Sequence, residues 1–189
     1  MLSQPPEIQY IALRNVHFLV EKQPLLLRNE IKHFFSSGDE LHYIRTEKLD
    51  ILTKLVTKKN ADAILRELHE YGKDIDDDIA RKAIKCIGQI ASLVDVAADR
   101  TIKYLMDIVN AASQQMHIQH EAAISLSEIL RKYPQKFGVA SCVKTMVGKI
   151  KILSEGASRA AVIWMLGEYS EKLKDSVDVH EVFGEIADK

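Results

Sequence analysis

Between Ile79 and Val94 the apolar residues Ile79, Ala80, Ala83, Ile84, Ile87, Ile90, Ala91 and Val94 recur at three- and four-residue intervals, while Arg81, Lys82, Lys85 and Gln89 take the other side. That spacing predicts an amphipathic helix with a broad core face. Asp76, Asp77 and Asp78 precede it, so one carboxylate is placed to cap the free N–H groups and the others sit at the positive end of the helix dipole. Gly88 lies inside this helix, where glycine costs about 1 kcal/mol relative to alanine. We expect it to mark a close approach of a neighbouring helix.

The same periodicity predicts helices on both sides. One spans 7–22 with Ile8, Ile11, Ala12, Val16 and Leu19 along a stripe, and a second opens on Pro24 and runs to about Phe35. Residues 40–56 and 60–72 give the next two, the latter capped by Asn60 and ended by Gly72. Further helices are expected over 95–109, 115–132, 137–150, 157–172 and 179–186. Residues 1–6, with Pro5 and Pro6, read as a disordered lead-in, and 7–189 as a single segment. The longer helix of each pair begins near Asp39, Asp76, Gln115 and Gly156, an interval of roughly 37 to 41 residues that is the period of HEAT and armadillo hairpins. The fold class predicted is therefore all-α, an α-α superhelix (HEAT/armadillo-like solenoid) of about five hairpins. A closed bundle would not demand a constant period. No obviously polar capping repeat is seen at either end, which suggests a fragment of a longer trunk.

Three further residues stand out of this pattern. Lys48 falls among Ile44, Ile51, Leu52 and Leu55 in the middle of an apolar stripe. A lysine there must snorkel out along its stem or meet a carboxylate or helix-end carbonyls from an adjacent hairpin, because an unpaired buried ammonium is too costly to keep charged. Trp164 is the single tryptophan, and Gly167 is a second in-helix glycine three residues on. These, with Gly88, are the structural candidates.

Composition narrows the chemistry. Lys plus Arg number 26 against 27 Asp plus Glu, a net charge of -1, so no overall basic field attracts nucleic acid. Cys86 and Cys142 on apolar faces suit a reducing compartment better than a disulfide framework, and no apolar run reaches the roughly 18 residues of a membrane span. A cytosolic protein is expected. His117 and His120 sit three apart on a predicted helix but lack further ligands, so surface histidines are expected and no metal or cofactor is assigned. No Gly-rich phosphate loop, nucleophile elbow or HExxH occurs, and no catalytic residue is named: the reading is not an enzyme. Tyr10-Ile11-Ala12-Leu13 and Glu21-Lys22-Gln23-Pro24-Leu25-Leu26 have the forms of tyrosine and acidic dileucine sorting signals, yet both fall on segments expected to pack. Lys54, Lys58 and Lys59, and separately Lys144, Lys149 and Lys151, form basic clusters that suit acidic lipid headgroups or a solvated helix end equally well.

Five blocks also carry a family resemblance. The run Tyr43-Ile44-Arg45-Thr46-Glu47-Lys48-Leu49-Asp50-Ile51-Leu52 resembles the central trunk of beta-adaptins, the large beta subunits of clathrin-adaptor complexes. So do Ile8 to Asn15, Arg81 to Gly88, Arg131 to Pro134 and Ala160 to Tyr169, in family order. The pattern fades over 111–120 and 138–154, and the family's hinge, clathrin-binding motif and appendage are not represented in these blocks. The resemblance implies a non-catalytic scaffold of a vesicle-coat adaptor in intracellular protein transport. Its implied partners are the medium, small and second large adaptor subunits, an Arf-family GTPase, and, through the assembled complex, the membranes of Golgi, endosomal or plasma-membrane coats. Helical periodicity by itself also fits another scaffold, such as a nuclear-transport receptor binding extended peptides, for which one tryptophan is a poor match.

Overall fold

The computed structural model describes residues 5–111, 115–135 and 138–173. Its α-helices are α1 (Pro6–Lys22), α2 (His42–Lys54), α3 (Ala61–Tyr71), α4 (Asp77–Leu93), α5 (Ala98–Ala111), α6 (Met116–Lys132), α7 (Val139–Gly148) and α8 (Gly156–Leu173). Among the described residues there is no strand, and the fold is all-α. The helix expected over 179–186 lies outside the described residues.

The chain divides into two compact units, Met1–Ala97 and Ala98–Lys189. In the first, α1 packs on α2, α2 on α4, and the short α3 on α4. In the second, α6 packs on α8, while α5 and the ten-residue α7 lie on α6 and α8 respectively. Each unit thus sets one layer of helices, α1, α2 and α4 in the first and α6 and α8 in the second, against another, α3 in the first and α5 and α7 in the second, the construction of an α-α solenoid. Helices α1, α2, α4, α6 and α8 open at Pro6, His42, Asp77, Met116 and Gly156, and this recurrence is the period seen in the sequence.

One predicted element is replaced. The segment from Pro24 to Phe35 is not an α-helix but two 3-10 turns, Pro24–Leu26 and Ile31–Phe34. Only Ile31 and Phe34 of this stretch are buried, too few apolar anchors to hold a full helix against α2. The stripe read on α1 also faces the other way: Gln9, Leu13 and Val20 are buried against α2, whereas Ile8, Ile11, Phe18 and Leu19 are exposed.

On α4 the side-chain carboxylate of Asp76 accepts from the N–H groups of Asp78 (3.0 Å) and Ile79 (3.2 Å), which starts the helix. Its buried set, including Ile79, Ile84, Ile87 and Ile90, forms the core of the first unit. Each such isoleucine contributes about 1.5–3 kcal/mol by burial. Asn60 precedes α3 but does not cap it: its Oδ1 accepts from Thr57 N–H (2.6 Å) and its Nδ2 donates to the carbonyls of Leu55 (3.0 Å) and Arg28 (3.1 Å). The side chain ties two turns together instead. Gly72 closes α3 with φ −65°, an ordinary right-handed value.

Candidate interaction surfaces and the buried polar contacts that set them

Helix α2 is covered on almost every side, and three of its charged residues, Arg45, Glu47 and Lys48, are buried with it. Each has a partner. Lys48, 1% exposed, donates from Nζ to Glu40 Oε1 and to the Phe35 carbonyl at 3.3 Å. Phe35 ends the second 3-10 turn, so the ammonium joins α2 to the segment that follows α1. Arg45 forks onto both oxygens of Asp74 and reaches Ser36 Oγ at 3.3 Å. The guanidinium of Arg45 holds the Asp74 carboxyl below the usual aspartate range, and Asp74 in turn raises Arg45. Tyr71 at the end of α3 accepts from Ser36 N–H (2.6 Å) and lies 2.5 Å from Glu67 Oε1; burial first, and then Glu67, push its phenol well up. His42 Nδ1 stands 2.9 Å from Asp76 Oδ2 and lowers that carboxyl. These contacts join the turn before α2 to the turn before α4.

Glu47 faces α1. Arg14 Nη1 lies 3.2 Å from its Oε2 and His17 Nδ1 2.5 Å from its Oε1. Lys54 meets Glu21 at 2.7 Å, and Lys82 meets Asp50 at 2.6 Å. The long helices of the first unit are therefore cross-linked by ion pairs from α1 to α2 and from α2 to α4. Between α2 and α4 a shallow open groove is lined by Asp50, Thr53, Lys54, Gln89, Ser92 and Leu93.

The other structural candidates separate. Gly88 is buried on α4, the helix that α2 and α3 both contact. Gly167 is exposed, and a Cβ there would meet nothing within 4 Å, so no close approach demands it. Trp164 is half-buried, with the Arg131 guanidinium of α6 4.5 Å above its ring and Tyr169 edge-on at 6.4 Å.

His120 is not a surface residue. It is 2% exposed, and its Nε2 accepts from Ser154 N–H at 3.4 Å. Nδ1 faces Ser158 Oγ (3.2 Å) and Glu155 Oε2 (3.3 Å). The set contains serine, histidine and glutamate, but it lacks the relay of a nucleophile. Ser158 Oγ already donates to the Glu155 carbonyl at 2.9 Å, and the imidazole nitrogen that accepts is turned to the backbone of Ser154. The cluster fastens the start of α8 to α6. The i, i+3 spacing that raised His120 in the sequence gave no sign of this, because its partners lie 34 and 38 residues further on.

Both thiols are buried, and burial pushes Cys86 up to about 11 and Cys142 up to about 12. Neither is a thiolate near neutrality. Among the described residues no group of His, Cys, Asp or Glu is placed to hold a metal ion, and no helix is long and apolar enough to cross a membrane.

The dileucine-like segment is where the sequence reading fails most. Leu25 is 69% and Leu26 60% exposed, so neither serves core packing. In the tyrosine-like segment Ile11 is exposed and Leu13 buried, and the Tyr10 ring meets Tyr43 edge-on at 5.2 Å.

Comparison with known proteins gives this architecture a family. The profile described as "Adaptin N terminal region" matches residues 1–189. The human "AP-1 complex subunit beta-1" is 37% identical over 183 residues, 97% of this chain and 19% of that protein. The Dictyostelium discoideum "AP-1 complex subunit beta" is 35% identical with the same coverage, and the Schizosaccharomyces pombe "AP-2 complex subunit beta" is 35% identical over 94% of this chain and 27% of its own length. The chain spans about a fifth to a quarter of the length of these relatives. With an all-α build of two helix layers in each unit, and similarity to beta subunits over nearly all of its length, the chain belongs to the adaptin N-terminal region family, in its beta-adaptin form.

Proposed function

We propose that the chain is a non-catalytic scaffold section of a vesicle-coat adaptor beta subunit, holding other subunits of the complex for intracellular protein transport. The observation that carries this reading is the match of the adaptin profile from the first residue to the last, on a fold whose buried charges are spent on joining helices. Lys48, Arg45, Glu47 and His120 each fix one element against another. Such fixed stacks present extended binding surfaces. The relatives are several-fold longer, and α1 is apolar on its outer side as well as its inner one. Both support a section of a longer trunk, with a further hairpin covering Ile8, Ile11, Phe18 and Leu19. Assembly with the medium, small and second large subunits, contact with an Arf-family GTPase, and a cytoplasmic, coat-associated location follow from the same reading.

Co-expression with adaptor medium and small subunits tests it. Stoichiometric co-purification is the expected result, and a chain that elutes without either subunit would overturn the proposal.

A further inference from the structure

The first unit has two edges of opposite character, where its successive turns come together. At the C-terminal ends of the long helices the turns expose Leu25 (69%), Leu26 (60%), Leu93 (63%) and Val96 (63%). The turns are contiguous. Asn60 Nδ2 donates to the Arg28 carbonyl at 3.1 Å, tying the turn after α2 to the turn after α1, and Lys58 Nζ lies 3.7 Å from Asp95 Oδ1 in the turn after α4. Set among the four apolar side chains are Lys22, Arg28, Lys54, Lys58 and Lys59, all exposed. Of the acids nearby, Glu21 and Asp95 pair with Lys54 and Lys58, which leaves Lys22, Arg28 and Lys59 as the cations of this edge with no ion pair among the described residues; Glu30 lies 3.2 Å from His33, and Asp62 stands in the first turn of α3, where the helix dipole favours a carboxylate. The α1, α2 and α4 dipoles direct their negative ends here, which favours cations at this edge.

The opposite edge holds the turns before α2 and α4, and it is acidic, with Asp39, Asp77 and Asp78, while its exposed Lys73 lies 3.5 Å from Glu70. Arg45 is consumed there by Asp74, and Lys48 by Glu40.

We infer that the turn edge carrying Leu25, Leu26, Leu93 and Val96 docks on an anionic lipid bilayer, with the leucines and valine entering the headgroup region and Lys22, Arg28 and Lys59 over acidic headgroups. Exposed apolar side chains ringed by cations match a membrane surface on both counts, and the acidic edge, directed away, disfavours the reverse orientation. This rests on the coat-scaffold reading and assigns that reading its lipid-facing edge. The sequence had grouped Lys54, Lys58 and Lys59. Only the fold adds Lys22, Arg28 and the apolar residues to them.

Co-sedimentation of the 189-residue chain with vesicles of phosphatidylcholine, with and without phosphatidylserine, tests the assignment. Binding should appear on the phosphatidylserine vesicles and fall steeply with added salt. The pair Arg28→Glu and Lys59→Glu should weaken it by about thirtyfold or more, from the contribution of each basic residue near a charged bilayer. Leu25→Ser with Leu26→Ser should weaken it and leave the remaining binding more salt-sensitive. Ile75→Ser, on the acidic edge, should change nothing. Circular dichroism checks that each variant is folded. Equal sedimentation on neutral and anionic vesicles, or binding unaffected by the Arg28/Lys59 pair, would overturn the inference. Co-purification of the medium subunit is read separately, so its retention with no vesicle binding rejects this edge and leaves the scaffold standing.

Discussion

Removing the Lys48 side chain tests whether the buried polar contacts hold the first unit together. Lys48 is covered almost completely, and the side chain of Glu40 is only 15% exposed. Lys48→Ala deletes the ammonium and leaves Glu40 with the Ser36 hydroxyl at 3.1 Å and Ser37 N–H at 3.3 Å as its remaining donors. Breaking one side of a buried pair costs about 3–5 kcal/mol, because the other charge stays desolvated. The two remaining donors lie at an accessible turn and put the expectation at the low end, about 3 kcal/mol. Loss of the lysine stem adds a cavity cost, so Lys48→Met, which keeps most of the volume, separates packing from charge. The double variant Lys48→Met/Glu40→Gln removes both charges and should recover to within about 1 kcal/mol of the parent, since neutral replacement of a buried pair is commonly tolerated. Urea denaturation followed by circular dichroism gives the free energies, and the double-mutant cycle gives the coupling. If Lys48→Ala moved stability by less than about 0.5 kcal/mol, or the coupling were zero, Lys48 would be a snorkelling lysine and not a buried link to Glu40.

Three further outcomes are expected. Asp74 and Asp76 have carboxyls held below their ordinary 3.8, by Arg45 and His42 respectively. Their stabilising contribution is therefore complete above that value and is lost as pH falls below it through the depressed folded values, so a pH series of thermal melts should drop below about pH 4 and the drop should shrink in Asp74→Asn. Cys86 and Cys142, with thiols raised by burial, should react with Ellman's reagent at pH 8 only as fast as the chain unfolds; immediate labelling of both would contradict their placement. His120→Ala leaves Ser154 N–H and Ser158 Oγ without their shared partner and should lower stability by about 1–3 kcal/mol, with faster amide exchange at the start of α8. An unchanged exchange rate there would refute its fastening role.

The helical class and the repeat were legible in the sequence because they rest on local periodicity. In α4 the buried set is the one that the spacing predicts, from Ile79 to Ala91, with Asp76 at its cap. Lys48 was legible as an anomaly, since a cation in an apolar stripe must find a partner; which partner was not, because Glu40 and Phe35 are brought to it by a turn. The Pro24 helix failed for a related reason. Pro24, Leu25 and Leu26 satisfy the local signals for a helix start, but the fold supplies no surface for the two leucines, and without burial a short helix does not hold.

Helix α1 shows where the inference from pattern to packing stops. Its exposed residues Ile8, Ile11, Phe18 and Leu19 and its buried Leu13 and Val20 lie on opposite sides of the same seventeen-residue helix. A hydrophobic stripe states that a neighbour is needed, and it is silent on which neighbour arrives from which direction. The buried side was the less apolar of the two by count, and Gln9 is part of it. We expect the polar chemistry beside it to select it: Glu47 on α2 is buried and meets the cation of Arg14 and the imidazole of His17, both on the α2-facing half of α1. On this expectation orientation in this layer is set by the ion pairs, and the apolar residues follow. The same logic makes Glu47→Gln an informative change: α1 would lose the contacts that choose its inner face while keeping every apolar residue, so amide protection in α1 should fall with little change in α4. Protection in α1 that survives this substitution would assign the choice of face to Leu13 and Val20 alone.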